Sequence, residues 1–144
     1  MSRNGRNCLP TLQVVWPIED LISVTTEPKH RTAVIISVKN LDDMECRFIA
    51  TGLAVKLAEN GVELFALVGK ESEKAHDALD CVLEEAGLED VITSWHDEDD
   101  PEDVASFVVA SSRAGGLTRI VAALDQSTPS GRKLRKTIAE AVVA

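Results

Sequence analysis

The feature that most constrains the fold of this chain is a regular alternation of short apolar runs with longer stretches of helical periodicity. Residues 33–38 and 62–68 are almost continuously apolar and have the length of a strand, which is typical of strands buried on both faces of a parallel sheet. Residues 91–95 and 118–124 repeat the pattern. Strands that alternate with helices imply right-handed crossovers. The sequence therefore predicts an α/β fold: a three-layer α/β/α sandwich with a mostly parallel sheet of four to five strands, Rossmann-like or flavodoxin-like.

Helical spacing predicts four helices after these strands, at residues 44–59, 71–86, 100–113 and 132–142. Pro101 after Asp100 is a strong helix start. Residues 12–16 predict a short strand that ends at Pro17, because proline cannot donate to a ladder. We expect residues 1–31 to form an N-terminal lead-in, partly disordered, and residues 32–144 to form a single α/β domain. A strand near residues 12–16 would lie at a sheet edge, where it could support a homodimer.

Charge is segregated along the chain. Residues 75–112 contain no lysine or arginine but hold 12 of the 24 acidic residues. The formal net charge of -9 and the scarcity of aromatic residues, at 3%, make nucleic acid an unlikely partner. No apolar run approaches the roughly 18 residues of a membrane span. Three cysteines form no paired spacing, so we expect free thiols and a cytoplasmic protein, with Cys46 and Cys81 as small buried helix residues.

Candidate sites lie in the loops at the carboxyl edge of the predicted sheet, where open parallel sheets bind their ligands. These loops are residues 39–43, 69–71, 96–100 and 125–131. The first candidate is an acidic loop, formed by His96, Asp97, Glu98, Asp99 and Asp100. Such groups could bind a divalent cation. They equally suit a helix start, because carboxylates are favourable near the positive end of the helix dipole. We predict no metal site and no cofactor.

The second candidate is a hydroxyl-rich loop that leads into the last helix. It consists of Ser127, Thr128, Ser130, Gly131, Arg132 and Lys133. Hydroxyls and backbone N–H groups at a helix start can hold a phosphate, although the spacing of a Walker loop is absent. Basic residues at a helix start oppose the helix dipole, so either a bound anion or the acidic loop should offset them. No glycine-rich dinucleotide fingerprint follows the strand at residues 33–38.

The segment VITSWHDE, residues 91–98, resembles a small bacterial domain family of unknown function. Members of that family carry a strand that ends in a Thr-x-Trp-His-Glu-like motif. Further residues fall at similar spacings, namely Arg47, Gly61, Gly69, Lys70, Asp77 and Asp80. The resemblance covers about residues 33–124 and implies a common fold, with Trp95, His96, Asp77 and Asp80 as candidate functional positions. The chain has Val68 and Ala75 where members tend to have tryptophan, and Asp97 where they have glutamate. The resemblance implies no activity.

These observations favour a non-catalytic protein-binding module over an enzyme. It would present the acidic surface of residues 77–103 to a basic protein partner, as an immunity-type or antagonist protein does. The expected binding residues are Asp77, Asp80, Trp95, His96, Asp97, Glu98, Asp99 and Asp100, with Trp95 packed under the acidic loop.

Two alternatives remain open at this point. One is a nucleotide- or phosphate-binding Rossmann-like protein or small enzyme, using Asp42, Lys70, His96 and residues 127–133. The other is a metal-assisted hydrolase that uses His96, Asp97 and Asp125.

Overall fold

The computed structural model describes residues 9–26, 30–97 and 100–144, and its centre is a five-stranded sheet in the order β1-β5-β2-β3-β4. Every neighbouring pair of strands runs parallel. The strands are β1 (Thr11–Val15), β2 (Thr32–Ser37), β3 (Val62–Val68), β4 (Ile92–His96) and β5 (Arg119–Ala123). The predicted α/β sandwich with a mostly parallel sheet is confirmed.

Helices cover both faces of the sheet. One face carries a 3₁₀ helix (Ile18–Thr26), α1 (Leu41–Met44), a π-helical turn (Glu45–Ile49), α2 (Leu53–Glu59) and α3 (Ser72–Glu85). The other face carries α4 (Pro101–Gly115) and α5 (Pro129–Val143). On the first face Phe48 meets Phe65 edge-to-face, with ring centroids 5.7 Å apart. None of the helices in the described ranges is long and apolar enough to cross a membrane.

The single helix predicted for residues 44–59 is wrong, because the segment is broken into α1, the π-helical turn and α2. Gly52 adopts the left-handed conformation, with φ of +79°, and this conformation ends a helix. The hydroxyl of Thr51 also donates to the carbonyl of Arg47 over 3.1 Å, which offers the backbone a competing bond. Within the π-helical turn Phe48 is buried and Arg47 is exposed.

The N-terminal lead-in is an integral part of this fold from β1 onward. Strand β1 occupies the sheet edge beside β5, so the predicted edge strand is confirmed. The 3₁₀ helix inserts Ile18, Leu21 and Val24 into the core beside α1 and α2. The predicted partial disorder within residues 1–31 stays a prediction, since residues 1–8 and 27–29 lie outside the described ranges.

Cys46 and Cys81 are both exposed, so the expectation that they are buried is wrong. The core positions of α3 are Ser72, Ala75, Leu79 and Leu83. At 100° per residue, Cys81 falls on the opposite side of the helix from that stripe. The thiols of both residues therefore face solvent.

Candidate functional site

The strand order reverses between β2 and β5. The chain passes from β2 outward to β3 and β4, and then α4 returns it to β5 on the other side of β2. At such a switch point the two loops leave the sheet in opposite directions and open a crevice beyond the carboxyl ends of the strands. A cavity of about 420 Å³ lies there. Its lining consists of Trp16, Ser37, Val38, Lys39, Lys70, Asp125, Thr128 and Ser130.

Two lysines are brought to this crevice by a close approach of β2 and β3. Gly69 has a φ of +142°, and a Cβ on it would collide with the carbonyl oxygen of Val38. The amide of Val38 in turn donates to the carbonyl of Val68 over 2.7 Å. Lys39 follows Val38 and Lys70 follows Gly69, so this glycine contact holds both lysine-bearing loops at one side of the cavity.

Asp125 supplies the carboxylate of the crevice. Its Oδ1 accepts from the hydroxyl of Ser127 over 2.6 Å and from the Ser127 amide over 3.0 Å. These two hydrogen bonds, with the positive charge of Lys39, lower the pKa of the Asp125 carboxyl. Asp125 is therefore ionised at neutral pH and acts as a hydrogen-bond acceptor.

The hydroxyl-rich loop uses most of its own backbone N–H groups. Thr128 caps α5, since its hydroxyl accepts from the Gly131 amide over 3.1 Å. The same hydroxyl donates to the carbonyl of Asp125 over 2.8 Å. Of the predicted anion-binding residues, only Thr128 and Ser130 line the cavity; Ser127, Gly131, Arg132 and Lys133 do not. Arg132 donates to the carbonyl of Gln126 over 3.1 Å, and the ion pairs within the described ranges do not join it to the acidic loop.

A second feature of the molecule is an acidic stripe along α3. It consists of Glu73, Asp77, Asp80 and Glu84. These residues are spaced by four, three and four positions, so they share one side of the helix and extend over roughly 16 Å at 1.5 Å per residue. The Asp77 side chain is 77% exposed and that of Asp80 is 40% exposed. Lys74, the one lysine of α3, falls outside the stripe.

Trp95 lies beside the acidic stripe, on the edge strand β4. It is 47% exposed, and its ring contacts the imidazole of His76, with centroids 4.8 Å apart. The expectation that Trp95 packs under the acidic loop is wrong. Thr93 and Trp95 alternate with their neighbours along the strand and therefore face α3, not α4. Trp95 is thus an exposed aromatic residue next to a row of carboxylates.

A hydrogen-bonded network fixes α3 to β4 below Trp95. The Thr93 hydroxyl donates to Asp80 Oδ1 over 2.5 Å and lies 2.9 Å from His76 Nε2. His76 Nδ1 lies 3.3 Å from Asp77 Oδ1. The order hydroxyl, imidazole and carboxylate resembles a nucleophilic triad. However, the Thr93 proton goes to Asp80 and not to His76, so the network anchors the surface and does not activate a nucleophile.

His96 lies on the opposite face of the sheet from Trp95, because adjacent residues of a strand point to opposite sides. Its side chain is only 8% exposed. The ring packs against Phe107, with centroids 5.3 Å apart, and its Nδ1 lies 3.6 Å from Asp103 Oδ2. The two residues of the Trp-His motif therefore do not share a pocket, and His96 supports the start of α4.

Of the other residues in the acidic loop, the structure describes Asp97 and Asp100. Asp100 caps α4, since its side chain accepts from the Asp103 amide over 3.2 Å. Asp97 is exposed at the end of β4. Glu98 and Asp99, also predicted as binding residues, lie outside the described residues.

The proposed metal-assisted hydrolase is not supported by the strand order. His96 ends β4 and Asp125 follows β5, and β3 and β2 lie between them. At about 4.8 Å per strand this separates them by roughly 14 Å, too far for one ion. Within the ranges described, no group of three His, Cys, Asp or Glu residues could hold a metal.

Sequence reasoning placed Lys39 in a loop at the carboxyl edge but did not single it out as a site residue. It missed Trp16 of the crevice, and Glu73 and Glu84 of the stripe. Lys39 directly follows a buried strand, so its place at the carboxyl edge was readable. The stripe was also readable, from the helical spacing of acidic residues. The role of Trp16 depends on the sheet order, which the sequence does not reveal.

Comparison with known proteins gives one result. A family model described as a domain of unknown function (DUF7684) matches residues 15–141. No curated protein matches the chain, and no solved structure does.

Proposed function

Because the chain belongs to this family of unknown function (DUF7684), we propose from its own surfaces that it is a non-catalytic protein-binding module for a basic protein partner. The acidic stripe and Trp95 form the binding surface. The observation that carries the proposal is the juxtaposition of four carboxylates at helical spacing with a half-exposed tryptophan. The role is that of an antagonist or immunity-type protein, which covers a basic surface of its target.

Electrostatics favour this assignment. The stripe lies within or next to a 38-residue segment, residues 75–112, that contains no lysine or arginine. No cation in that segment offsets the field of Asp77, Asp80 and Glu84. A row of like charges steers an oppositely charged partner and raises its association rate.

Trp95 supplies the apolar part of the surface. Tryptophan is enriched among the residues that dominate binding energy at interfaces. A guanidinium of the partner can stack on the indole while it pairs with a nearby carboxylate. The network of His76, Thr93 and Asp80 holds β4 against α3, so the indole and the carboxylates keep a fixed spacing before a partner arrives. Such preorganisation reduces the entropic cost of binding.

We also infer a role for the Thr-x-Trp-His motif and the compartment in which the protein works. The surface contains Thr93 and Trp95 of the Thr-x-Trp-His motif, so the proposal gives that motif of the resembled bacterial family a binding role. The exposed thiols of Cys46 and Cys81 favour a reducing compartment, the cytoplasm.

The test uses the only two tryptophans of the chain, Trp16 and Trp95. A Trp16→Phe variant leaves Trp95 as the sole reporter and is titrated with a deca-arginine peptide at low and at moderate salt. We expect a saturable change in emission that weakens as salt rises. Reversal of two stripe residues, Asp77→Lys with Glu84→Lys, should weaken binding by about tenfold or more.

A charge-matched control separates the surface from net charge. Asp20 on the 3₁₀ helix and Glu140 on α5 are exposed and lie outside the stripe, so Asp20→Lys with Glu140→Lys changes the net charge equally. This control should bind the peptide nearly as well as the parent. Equal loss in both double variants would show that only net charge matters, and the proposed surface would be rejected.

A further inference from the structure

We propose that the crevice between β2 and β5 is a second, independent site, which binds a nucleoside monophosphate. It lies at the carboxyl edge of the sheet, whereas the acidic stripe follows the outer side of α3. The proposal rests on the cavity and its charged lining and does not depend on the protein-binding role.

The first observation is the convergence of cations in an acidic protein. Lys39 and Lys70 come from different loops and line the same cavity of about 420 Å³. The contact of Gly69 with the Val38 carbonyl holds these loops together. Both lysines are exposed, and no ion pair within the described ranges engages either. Asp125 offsets only one of these two positive charges, so a bound anion would balance the second.

The groups that would bind a phosphate can be inferred from the backbone amides that already have hydrogen-bond partners. Helix α1 has only four residues, and two of its amides are already bonded to side chains. Asn40 Oδ1 accepts from the Asp43 amide over 2.8 Å, and Glu71 Oε1 accepts from the Leu41 amide over 2.7 Å. The glycine-rich turn that holds a pyrophosphate in dinucleotide-binding folds is also absent. A phosphate here must be bound by the ammonium groups of the lysines and the hydroxyl of Ser130.

The remainder of the lining selects a nucleoside. Trp16 is 39% exposed and is one of the residues that line the cavity, and an aromatic side chain there offers a base a stacking partner. Asp125 is an ionised acceptor whose Oδ1 is engaged by Ser127, which leaves Oδ2 for a ribose hydroxyl. The cavity volume lies near the lower end of the range for small-molecule sites, roughly 300–1,000 Å³. This size fits a mononucleotide better than a dinucleotide.

The test uses a Trp95→Phe variant, in which Trp16 is the sole tryptophan. It is titrated separately with adenosine 5′-monophosphate, inorganic phosphate and adenosine, and the Trp16 emission is recorded. We expect saturable binding of the monophosphate that is at least about tenfold tighter than binding of either fragment. Removal of both cations, Lys39→Ala with Lys70→Ala, should weaken it by about tenfold or more. Lys133→Ala with Lys136→Ala removes the same charge outside the cavity and should leave the affinity within about twofold.

Three results would overturn the proposal. One is the absence of saturable binding by the monophosphate. Another is equal loss in the two double-lysine variants, which would reduce the effect to net charge. The third is a fragment, phosphate or adenosine, that binds as tightly as the monophosphate. Urea midpoints that match the parent would confirm that both double variants are folded, as expected for exposed lysines.

Discussion

Replacement of Gly69 by alanine should destabilise the protein by about 4 kcal/mol, because two costs add at this position. Gly69 has a φ of +142°, a conformation that costs other residues roughly 1–3 kcal/mol. The new Cβ would also collide with the backbone carbonyl of Val38, and forced crowding of this kind costs about 1–3 kcal/mol. Urea unfolding followed by tryptophan fluorescence measures the loss. Relief of the collision would part the ends of β2 and β3, so Lys39 and Lys70 should also separate.

Gly87 provides the matched control. It has a φ of +75°, but nothing lies within 4 Å of the position of its Cβ. Gly87→Ala should therefore cost only the backbone term, about 1 kcal/mol. The reasoning is refuted if the two variants lose equal stability, since β2 and β3 would then not approach each other as closely as described.

Three other changes test the remaining structure. Thr93→Val removes the donor to Asp80 and should cost about 1–3 kcal/mol in urea unfolding; an unchanged midpoint would mean that the network under Trp95 is not formed. The hydrogen bond from Arg31 lowers the pKa of Glu63 below its ordinary value of 4.5, so this pair stabilises the fold above that value and the stabilisation is lost as the pH falls below it. Glu63→Gln should thus be slightly less stable than the parent at pH 7, and the gap should close in acid; a gap that persists at the lowest pH would contradict this. Phe48→Ala should cost about 3–5 kcal/mol in the same assay, and a loss below 1 kcal/mol would show that residue 48 is not a core position.

The sheet was readable from the sequence because buried parallel strands leave a strong signal. Residues 62–68 were predicted and found as β3, since a strand covered on both faces must be apolar along its length. The break in the first crossover was not predicted. A single glycine and a threonine do not exclude a helix in the sequence, but in the structure Gly52 takes the left-handed conformation that ends it.

The candidate sites were readable only in part, for two different reasons. Trp95 and His96 were grouped because they adjoin in the sequence, although the period of a strand already sends them to opposite faces. The crevice depends instead on which strands are neighbours. No local pattern specifies that β5 lies beside β2. The sequence alone therefore could not predict that Lys39 and Asp125 line the same cavity.

The position of β1 affects how this chain can fold during its synthesis. In the part of the chain that the structure describes, Thr11–Val15 pairs only with Arg119–Ala123, so β1 leaves the ribosome well before the strand with which it pairs. Closing so long a loop is entropically costly, and contacts distant in sequence slow folding. Until β5 emerges, the flank of β2 that will receive it is open and its apolar side chains are uncovered. Such an unpaired edge is prone to aggregation, and the lag is longest for a slowly translated message.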